Sequence, residues 1–265
     1  MRRRAPWRAS GVPAKPAETC VAAVIKCCAV AMKHSSNPSR RAAFLDTLSP
    51  EARAAFIRLG TRRRYAVGDI LIHEGDNAQE LVVLHEGLVK VTARLDRDRV
   101  SLTDIRIAGD VVGEVAAMGV GPRSATVTSC GDVRATVVPP DQLEPFLLAH
   151  PEALLALSRM LCRRLRRADR LRLELGGYQV PVRLARVLVE LAESNGWPKR
   201  THKGLDWNKM HIGVSLTQSE FAALTASTTN TVHKALAQLR KDKIITTGLR
   251  QTFIRDMARL REAAL

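Results

Sequence analysis

The segment "GEVAAMGVGPRSATV", residues 113–127, carries a carboxylate, an arginine and a hydroxyl around a glycine-rich loop. The forked guanidinium of Arg123 can meet two phosphate oxygens at once, and Ser124 can donate its hydroxyl and backbone N–H to the same phosphate. The Glu114 carboxylate only accepts hydrogen bonds when ionised, which suits a ribose 2′-hydroxyl. The segment therefore predicts a site for a cyclic phosphodiester. The alternative is an Arg–Glu salt bridge across a surface turn.

A second segment, "SLTQSEFAALTASTTNTVHKALAQLRKDKII" at residues 215–245, has the two helices and tight turn of a helix-turn-helix. Thr217 can cap the first helix, and Glu220 completes a capping box. On the outer face of the second helix, Asn230 favours adenine and Lys234 favours guanine. The alternative is a plain helical hairpin. The predicted DNA-binding residues are Thr217, Gln218, Thr228, Thr229, Asn230, His233 and Lys234.

The charge balance of the chain points to a polyanionic partner. Lys and Arg number 42 against 26 Asp and Glu, which gives a formal net charge of +16 and a pI near 10.5. Such a balance is typical of proteins that bind nucleic acid. A merely well-solvated basic surface is the alternative, since the like charges do not form long runs.

Composition disfavours several other classes of protein. No apolar stretch reaches the roughly 18 residues that a membrane-spanning helix needs, and the N-terminal apolar segment is interrupted by Lys26. The histidines show neither metal-ligand spacing nor a triad pattern, and the sequence contains no P-loop or dinucleotide fingerprint. We therefore expect a cytoplasmic protein that is not an enzyme and holds no metal. Reduced thiols are expected at the scattered cysteines, Cys20, Cys27, Cys28, Cys130 and Cys162.

Several elements must position the two segments. Residues 1–41 show no sustained period and predict a basic, flexible extension. Apolar residues at helical spacing predict a helix over residues 44–59, in which Ser49 can cap and Pro50 occupies a first-turn position. Short β-like runs broken by Gly and Asp then predict a β-roll that ends near residue 138.

A long helix is predicted from Pro151 onward, and its apolar residues follow a heptad that Arg164 interrupts. This pattern favours a seam between two chains, with packing on its own domain as the alternative. Gly176, Gly177 and Pro181 predict the end of this helix and a hinge. The predicted heptad positions are Leu154, Leu157, Leu161, Ala168, Leu171 and Leu175.

Beyond the hinge the pattern predicts a second domain around the helix-turn-helix. We expect a helix over residues 182–194, followed by a polar loop at "NGWPKRTHKG", residues 195–204. A short strand is predicted near residues 210–214. Two further β segments, at residues 244–247 and 252–254, would form a wing after the second helix of the helix-turn-helix.

Two segments of the β-roll carry a family resemblance. "LIHEGDNAQELVVLHEG" at residues 71–87 and "VGEVAAMGVGPRSATVTS" at residues 112–129 resemble the signatures of cyclic-nucleotide-binding domains. With the downstream helix-turn-helix, residues 42–260 resemble the cyclic AMP receptor protein/fumarate-nitrate regulator (Crp/Fnr) family of bacterial transcription factors. The resemblance implies an α+β homodimer with a β-roll sensor, a dimerisation helix and winged helices that read a roughly palindromic site.

The resemblance also implies domain boundaries and residue roles. The extension would span residues 1–41, the sensor 42–149, the dimerisation helix 150–178 and the winged helix-turn-helix 179–265. Arg123 and Ser124 match the family's phosphate contacts, and Glu114 matches its ribose contact. The predicted cyclic-nucleotide-binding residues are Gly113, Glu114, Val115, Ala116, Arg123, Ser124, Ala125 and Asp169.

The chain departs from the family pattern near the expected base. Ala168 and Asp169 stand where cyclic AMP receptors face adenine with a Thr-Ser or Thr-Asn pair. The Asp169 carboxylate can accept from an adenine amino group or from guanine N1–H and the 2-amino group, or it can pair with Arg172 or Arg166 on its own helix. Asp169 therefore leaves the identity of the base open.

Other departures lie in the phosphate loop and the DNA-reading element. Ala117 replaces a larger aliphatic residue. The common Arg-Glu-Thr-Val pattern is here "TNTV", residues 229–232, so the operator should differ from the family's common one. Ala226 replaces the usual turn glycine, at small conformational cost if its φ is negative.

The sequence as a whole predicts a homodimeric, sequence-specific DNA-binding transcriptional regulator. A cyclic nucleotide in the β-roll would modulate DNA binding, with cyclic AMP favoured over cyclic GMP. Double-stranded DNA and RNA polymerase are the expected partners, and no membrane is involved. The alternative is a constitutive DNA-binding regulator whose β-roll is vestigial.

Overall fold

The structure is a computed structural model that describes residues 42–96, 99–202, 204–249 and 251–265. The predicted N-terminal extension, with Cys20, Cys27 and Cys28, lies outside these residues. The described chain begins with a short 3₁₀ helix, Phe44–Thr47, and helix α1, Pro50–Ile57. The helix start predicted at Ser49 and Pro50 is confirmed, since Ser49 is extended and its side chain accepts from the N–H of Ala52; the apolar residues before it form the separate 3₁₀ helix.

Two four-stranded antiparallel sheets form the predicted β-roll. One has the order β1-β8-β3-β6 and the other β2-β7-β4-β5. Buried valine, leucine and isoleucine side chains from both sheets pack between them. The elements are β1 Thr61–Tyr65, β2 Ile70–Ile72, β3 Leu81–Glu86, β4 Leu88–Arg94, β5 Val100–Ile107, β6 Val111–Val112, α2 Glu114–Ala117, β7 Thr126–Ser129 and β8 Val133–Val138.

Two helices follow the β-roll, α3 Pro140–Ala149 and the long helix α4, Pro151–Gly177. At 1.5 Å per residue, α4 is about 40 Å long. Its last residue is Gly177, so the helix end predicted at Gly176, Gly177 and Pro181 is confirmed. Its predicted heptad positions divide in two: Leu157 is buried in the core of this chain, whereas Leu154 and Leu175 are 42% and 47% exposed.

The C-terminal domain places its helices on a four-stranded sheet of order β11-β12-β10-β9. The predicted loop at residues 195–204 is wrong, since most of it forms β9, Gly196–Thr201. Pro198 is tolerated there because β9 is an edge strand. The elements are α5 Val180–Asn195, β9, β10 Gly204–Ile212, α6 Gln218–Leu224, α7 Thr229–Lys241, β11 Ile245–Thr247, β12 Thr252–Ile254 and α8 Met257–Glu262.

The C-terminal domain packs directly on the β-roll. Leu102 and Ile105 of β5 belong to the same buried cluster as the core of the helix-turn-helix. At this junction Lys90 of β4 forms an ion pair with Glu220 of α6, with 2.6 Å between Nζ and Oε1. The β-roll and the first helix of the helix-turn-helix are therefore in direct contact.

Candidate functional site

A glycine in a left-handed conformation makes room for the predicted phosphate-binding arginine. Gly113 has φ +81°, and a Cβ at this position would lie 2.4 Å from Nη1 of Arg123 and 3.1 Å from the carbonyl oxygen of Glu80. Instead, the Gly113 carbonyl accepts a hydrogen bond of 3.0 Å from Nη1 of Arg123. Gly113 is thus required both by its backbone angle and by the guanidinium beside it.

Arg123 is buried, with 5% of its surface exposed. Its Nη2 donates to Oε2 of Glu80 over 3.1 Å. Its backbone is tied to the segment of residues 71–87, since its N–H donates to the Asp76 carbonyl and its carbonyl accepts from Gly75. Burial lowers the pKa of the Arg123 guanidinium, while Glu80 and Asp76 oppose that shift. The first signature segment therefore positions the arginine of the second.

All but one of the predicted ligand residues line one cavity, which we call the ligand cavity; it has a volume of about 60 Å³. The exception is Asp169. Ser124 is exposed at the cavity wall and Ala116 is buried in it. The lining consists of Gly113, Glu114, Val115, Ala116, Arg123, Ser124 and Ala125 together with Ile72, Val91, Arg106, Val112, Val127 and Arg164.

The predicted ribose acceptor is paired with the long helix. Glu114 forms an ion pair with Nη1 of Arg164, and their side chains are only 12% and 14% exposed. Nη2 of Arg164 donates to the Val111 carbonyl over 2.8 Å, and its buried Nε has no hydrogen-bond partner among the described residues. The predicted alternative was an Arg–Glu salt bridge across a surface turn. Both residues instead pair with distant segments, Arg123 with Glu80 and Glu114 with Arg164.

Arg164 and Arg106 are cavity residues that the sequence reasoning did not assign to the site. The sequence does mark Arg164 as unusual, because this residue interrupts the apolar heptad of α4. Arg106 of β5 is 8% exposed and pairs through Nη1 with Asp104 on the same strand. Nothing in the local pattern of β5 marks Arg106, since a charged residue in a strand usually faces solvent.

Asp169 lies apart from the ligand cavity of its own chain. Its side chain is 56% exposed, and its nearest ion-pair partner is Arg172 on the same helix, 3.9 Å away. The intrahelical pair expected as an alternative is therefore present, although long. A contact between Asp169 and a nucleobase stays a prediction.

A chain of ion pairs leads from the ligand cavity to the C-terminal domain. Asp104, the partner of Arg106, also faces Arg167 of α4, with 3.4 Å between Nη1 and Oδ2. Arg167 in turn donates twice to Glu190 of α5, over 2.6 and 3.0 Å. Although burial acts to lower it, the pKa of Arg167 is raised by Asp104 and Glu190. Arg167 therefore bridges the β-roll and the DNA-binding domain.

The helix-turn-helix has the predicted capping. The Thr217 side chain accepts from the N–H of Glu220, whose carboxylate accepts from the N–H of Thr217, so the predicted capping box is confirmed. Thr228 caps α7 by accepting from the N–H of Thr231. Of the predicted DNA-binding residues, Thr217 and Thr228 thus have structural roles in capping.

The remaining predicted DNA-binding residues lie on one exposed surface. Val232, Ala235, Leu236 and Leu239 turn inward from α7 and are buried. Gln218 of α6 meets His233 of α7, with 3.3 Å between Oε1 and Nδ1. We call this surface the reading surface. Its exposed side chains are Gln218, Thr229, Asn230, His233 and Lys234.

The turn between α6 and α7 departs from the expectation for Ala226. Its φ is +42°, in the left-handed region that favours glycine, so the assumption of a negative φ is wrong. Arg183 of α5 supports this turn through hydrogen bonds to the carbonyls of Thr225 and Ala226, 3.0 and 3.4 Å long. Tertiary contacts thus hold alanine in a conformation that costs it energy.

The sequence predicted neither a metal site nor a membrane-spanning helix, and both features can be sought in the described residues. Across residues 42–96, 99–202, 204–249 and 251–265, no cluster of His, Cys, Asp and Glu could hold a metal ion. In the same ranges no helix is long and apolar enough to cross a membrane. Cys130 and Cys162 are free thiols, and burial raises the pKa of Cys130 to about 11.

Comparison with known proteins matches both halves of the site. Residues 62–150 match the cyclic nucleotide-binding domain family, and residues 182–263 match the Crp-like helix-turn-helix domain family. A CRP-like cAMP-activated global transcriptional regulator of Mycobacterium tuberculosis is 30% identical over 224 residues, 84% of this chain and 97% of the relative. The transcriptional regulator LdrP of Thermus thermophilus is 32% identical over 202 residues, 76% of this chain and 96% of the relative. The solved structure of TTHB099, a CRP-family transcriptional regulator of the same organism, aligns with TM-score 0.62 and 28% identity, over 76% of this chain and 96% of that one.

Proposed function

Because the chain belongs to the Crp/Fnr family of transcriptional regulators, we propose that a 3′,5′-cyclic nucleotide binds in the ligand cavity and sets the affinity of a homodimer for DNA. The observation that carries this proposal is Arg123, a buried guanidinium that faces a cavity beside Ser124. The Mycobacterium tuberculosis relative is named as cAMP-activated, which supports a cyclic nucleotide as the effector.

The phosphate would lie against Arg123, with the exposed Ser124 beside it. A buried arginine is worth more to a phosphate than a surface one, because the surrounding dielectric is low. Gly113 at the N-terminus of α2 leaves space for the Arg123 guanidinium, which would meet the anion. Glu114 would accept the ribose 2′-hydroxyl.

Ligand entry would displace the long helix. A cavity of about 60 Å³ has room for only a few water molecules, so a nucleotide fits only if the wall moves. The part of the wall that belongs to α4 is Arg164, so a ribose that donates to Glu114 also comes against this helix. Because Arg167 on the same helix holds Glu190 of α5, movement of α4 would reach the DNA-binding domain.

The exposed apolar stripe on α4 supports the homodimer. Leu154 and Leu175 lie at positions of the predicted heptad and are 42% and 47% exposed, and Leu165 beside this row is 63% exposed. Exposed apolar rows on a long helix favour a second copy of the same helix. The dimer would present two copies of α7 to successive major grooves of a roughly palindromic site.

The reading surface of α7 would contact base edges, with Asn230 on adenine and Lys234 on guanine. In this role the protein acts in the cytoplasm on double-stranded DNA and has no enzymatic activity. RNA polymerase is the expected protein partner. The net charge of +16 supports binding to a polyanion.

A constitutive regulator is the second candidate, and one observation favours it. The two charged groups that would meet the nucleotide already have partners, Glu80 for Arg123 and Arg164 for Glu114. A site satisfied in this way is stable without a ligand. The β-roll would then serve dimerisation and contact with RNA polymerase.

Calorimetric titration with cyclic AMP and cyclic GMP, paired with fluorescence anisotropy on selected DNA sites, separates the two candidates. The wild type should bind nucleotide and gain DNA affinity, and Ser124→Ala should weaken nucleotide binding without loss of fold, because Ser124 is exposed. If neither nucleotide binds and the protein binds DNA equally well without them, the constitutive candidate is established instead.

A further inference from the structure

A second buried arginine lies in the ligand cavity, and the proposed function gives it no role. Arg106 of β5 is 8% exposed and lines the cavity together with Arg123. It also lines the neighbouring cleft between β5 and α4, where Asp104, Arg167 and Ala168 lie. Arg106 thus stands at the end of the cavity that faces the long helix.

The contacts of the cavity place the base at that end. The ribose of a cyclic nucleotide separates its phosphate from its base. Arg123 and Gly113 define the phosphate end, and Glu114, the proposed ribose acceptor, contacts Arg164 of α4. A base that continues from the ribose toward α4 comes to the wall where Arg106 lies.

We propose that Arg106 reads the nucleobase and makes the site prefer guanine to adenine; the inference rests on the proposed function. Guanine presents two adjacent acceptors, O6 and N7, which match the fork of a guanidinium. Adenine presents N7 beside the N6 amino donor, so one arm of the fork would face another donor. Cyclic GMP is therefore the effector that this cavity selects, in contrast to the cyclic AMP favoured by sequence.

Asp104 prepares Arg106 for this role. The carboxylate contacts Nη1 of Arg106 and holds the guanidinium on the cavity wall. A guanidinium has five N–H donors, so a carboxylate and a base edge can share it. Asp104 also faces Arg167, with 3.4 Å between their charged atoms, so it keeps an ionic partner when Arg106 is replaced.

Calorimetric competition among cyclic GMP, cyclic IMP and cyclic AMP tests the inference on the full chain. Cyclic IMP carries O6 and N7 but lacks the 2-amino group, so it isolates the edge that Arg106 would read. We expect cyclic GMP and cyclic IMP to bind the wild type about fivefold or more tightly than cyclic AMP. A preference for cyclic AMP, or equal affinity for cyclic IMP and cyclic AMP, would overturn the inference.

Two substitutions at Arg106 make the test independent of folding losses. Arg106→Met should bring the ratio of cyclic GMP to cyclic AMP affinity near one. Arg106→Gln should shift it toward cyclic AMP, because a glutamine amide matches adenine N6 and N7; partial unfolding cannot produce such an inversion. Arg62→Met, which removes the same charge from an exposed position on β1, should keep the wild-type ratio.

The outcomes separate failure of the inference from failure of the proposed function. If both nucleotides bind and the ratio is the same in the wild type and both Arg106 variants, the cyclic-nucleotide function stands and Arg106 does not read the base. If a preference for cyclic GMP disappears with Asp169→Ser instead, α4 reads the base and the assignment to β5 is wrong. If no cyclic nucleotide binds the wild type, the proposed function fails and the inference fails with it.

Discussion

The ligand cavity and the reading surface of α7 both present polar side chains suited to nucleotides, yet the two regions hold these side chains differently. In the cavity, Arg123 is buried and paired with Glu80, and Glu114, whose side chain is 12% exposed, is paired with Arg164. On α7, Asn230 and its neighbours are exposed, and the helix beneath them depends on other residues. The functional groups of the cavity thus also stabilise the fold, whereas those of the reading surface do not.

Among substitutions that test this contrast, Arg123→Ala should cause the largest loss of stability. The substitution leaves Glu80 and the Gly113 carbonyl without their partner and should lower the free energy of unfolding by about 3 kcal/mol. The Glu80 side chain is 39% exposed, which keeps the loss at the lower end for a broken buried pair. Urea denaturation measures the effect. As the matched control, Lys234→Ala should change stability by no more than about 0.5 kcal/mol; equal losses would remove the contrast.

A smaller loss is expected from a single methyl group at Gly113. Gly113→Ala forces a side chain onto a φ of +81° and brings Cβ within 2.4 Å of Arg123. Backbone strain and the displaced guanidinium should together lower the free energy of unfolding by about 2 kcal/mol and weaken nucleotide binding. Gly121→Ala is the control, since φ is +70° there but no atom lies within 4 Å. It should show only strain, about 1 kcal/mol, with nucleotide affinity intact.

Asn230→Ala should separate function from stability on the reading surface. Because Asn230 is exposed, thermal unfolding should be unchanged, while the binding free energy for the preferred DNA site falls by about 2 kcal/mol. The loss should be smaller on a site in which the contacted base is changed. Lys241→Ala, at the end of α7, should weaken all sequences alike and serves as the control. An equal loss on every sequence after Asn230→Ala would show that Asn230 contacts phosphate instead.

A substitution between the two regions tests whether they communicate. Glu190→Gln weakens the paired contact with Arg167, so the DNA-binding domain should be less restrained in the absence of nucleotide. We expect the nucleotide-induced gain in DNA affinity to shrink by about fivefold, or about 1 kcal/mol of coupling free energy. Glu193→Gln lies on the same helix but removes a pair with Arg261 inside the C-terminal domain. If both variants keep the full gain, the route through Arg167 is refuted.

The sequence predicted well those features that depend on residues within one short segment. The capping by Ser49 and Thr217 depends on residues within one turn, and both caps are present. The second helix of the predicted helix-turn-helix is present as α7, since its apolar period is undisturbed. The loop of glycine and arginine that lines the cavity was likewise contained in one segment.

What the sequence did not predict depends on contacts between distant segments. Glu80 lies 43 positions from Arg123. Arg164 reaches the cavity from a helix whose pattern favoured a dimer seam over packing on its own domain. Strand β9 was missed because Pro198 and a polar composition indicate a loop, although pairing with β10 orders it. Helix α8 was not predicted at all. Pairing and burial decide these features, and neither is visible in local periodicity.

The smallest expected effect concerns the turn that supports the reading surface. Ala226 adopts φ +42°, a conformation that costs an alanine about 1 kcal/mol, so Ala226→Gly should relieve strain. Glycine also increases the entropy of the unfolded chain, which offsets part of the gain and leaves about 0.5 kcal/mol of net stabilisation. Thermal unfolding of the full chain measures it. DNA affinity should be unchanged, because Arg183 still holds the carbonyls of the turn. Destabilisation would show that the turn is relaxed with alanine and that its strain contributes nothing to the geometry of α7.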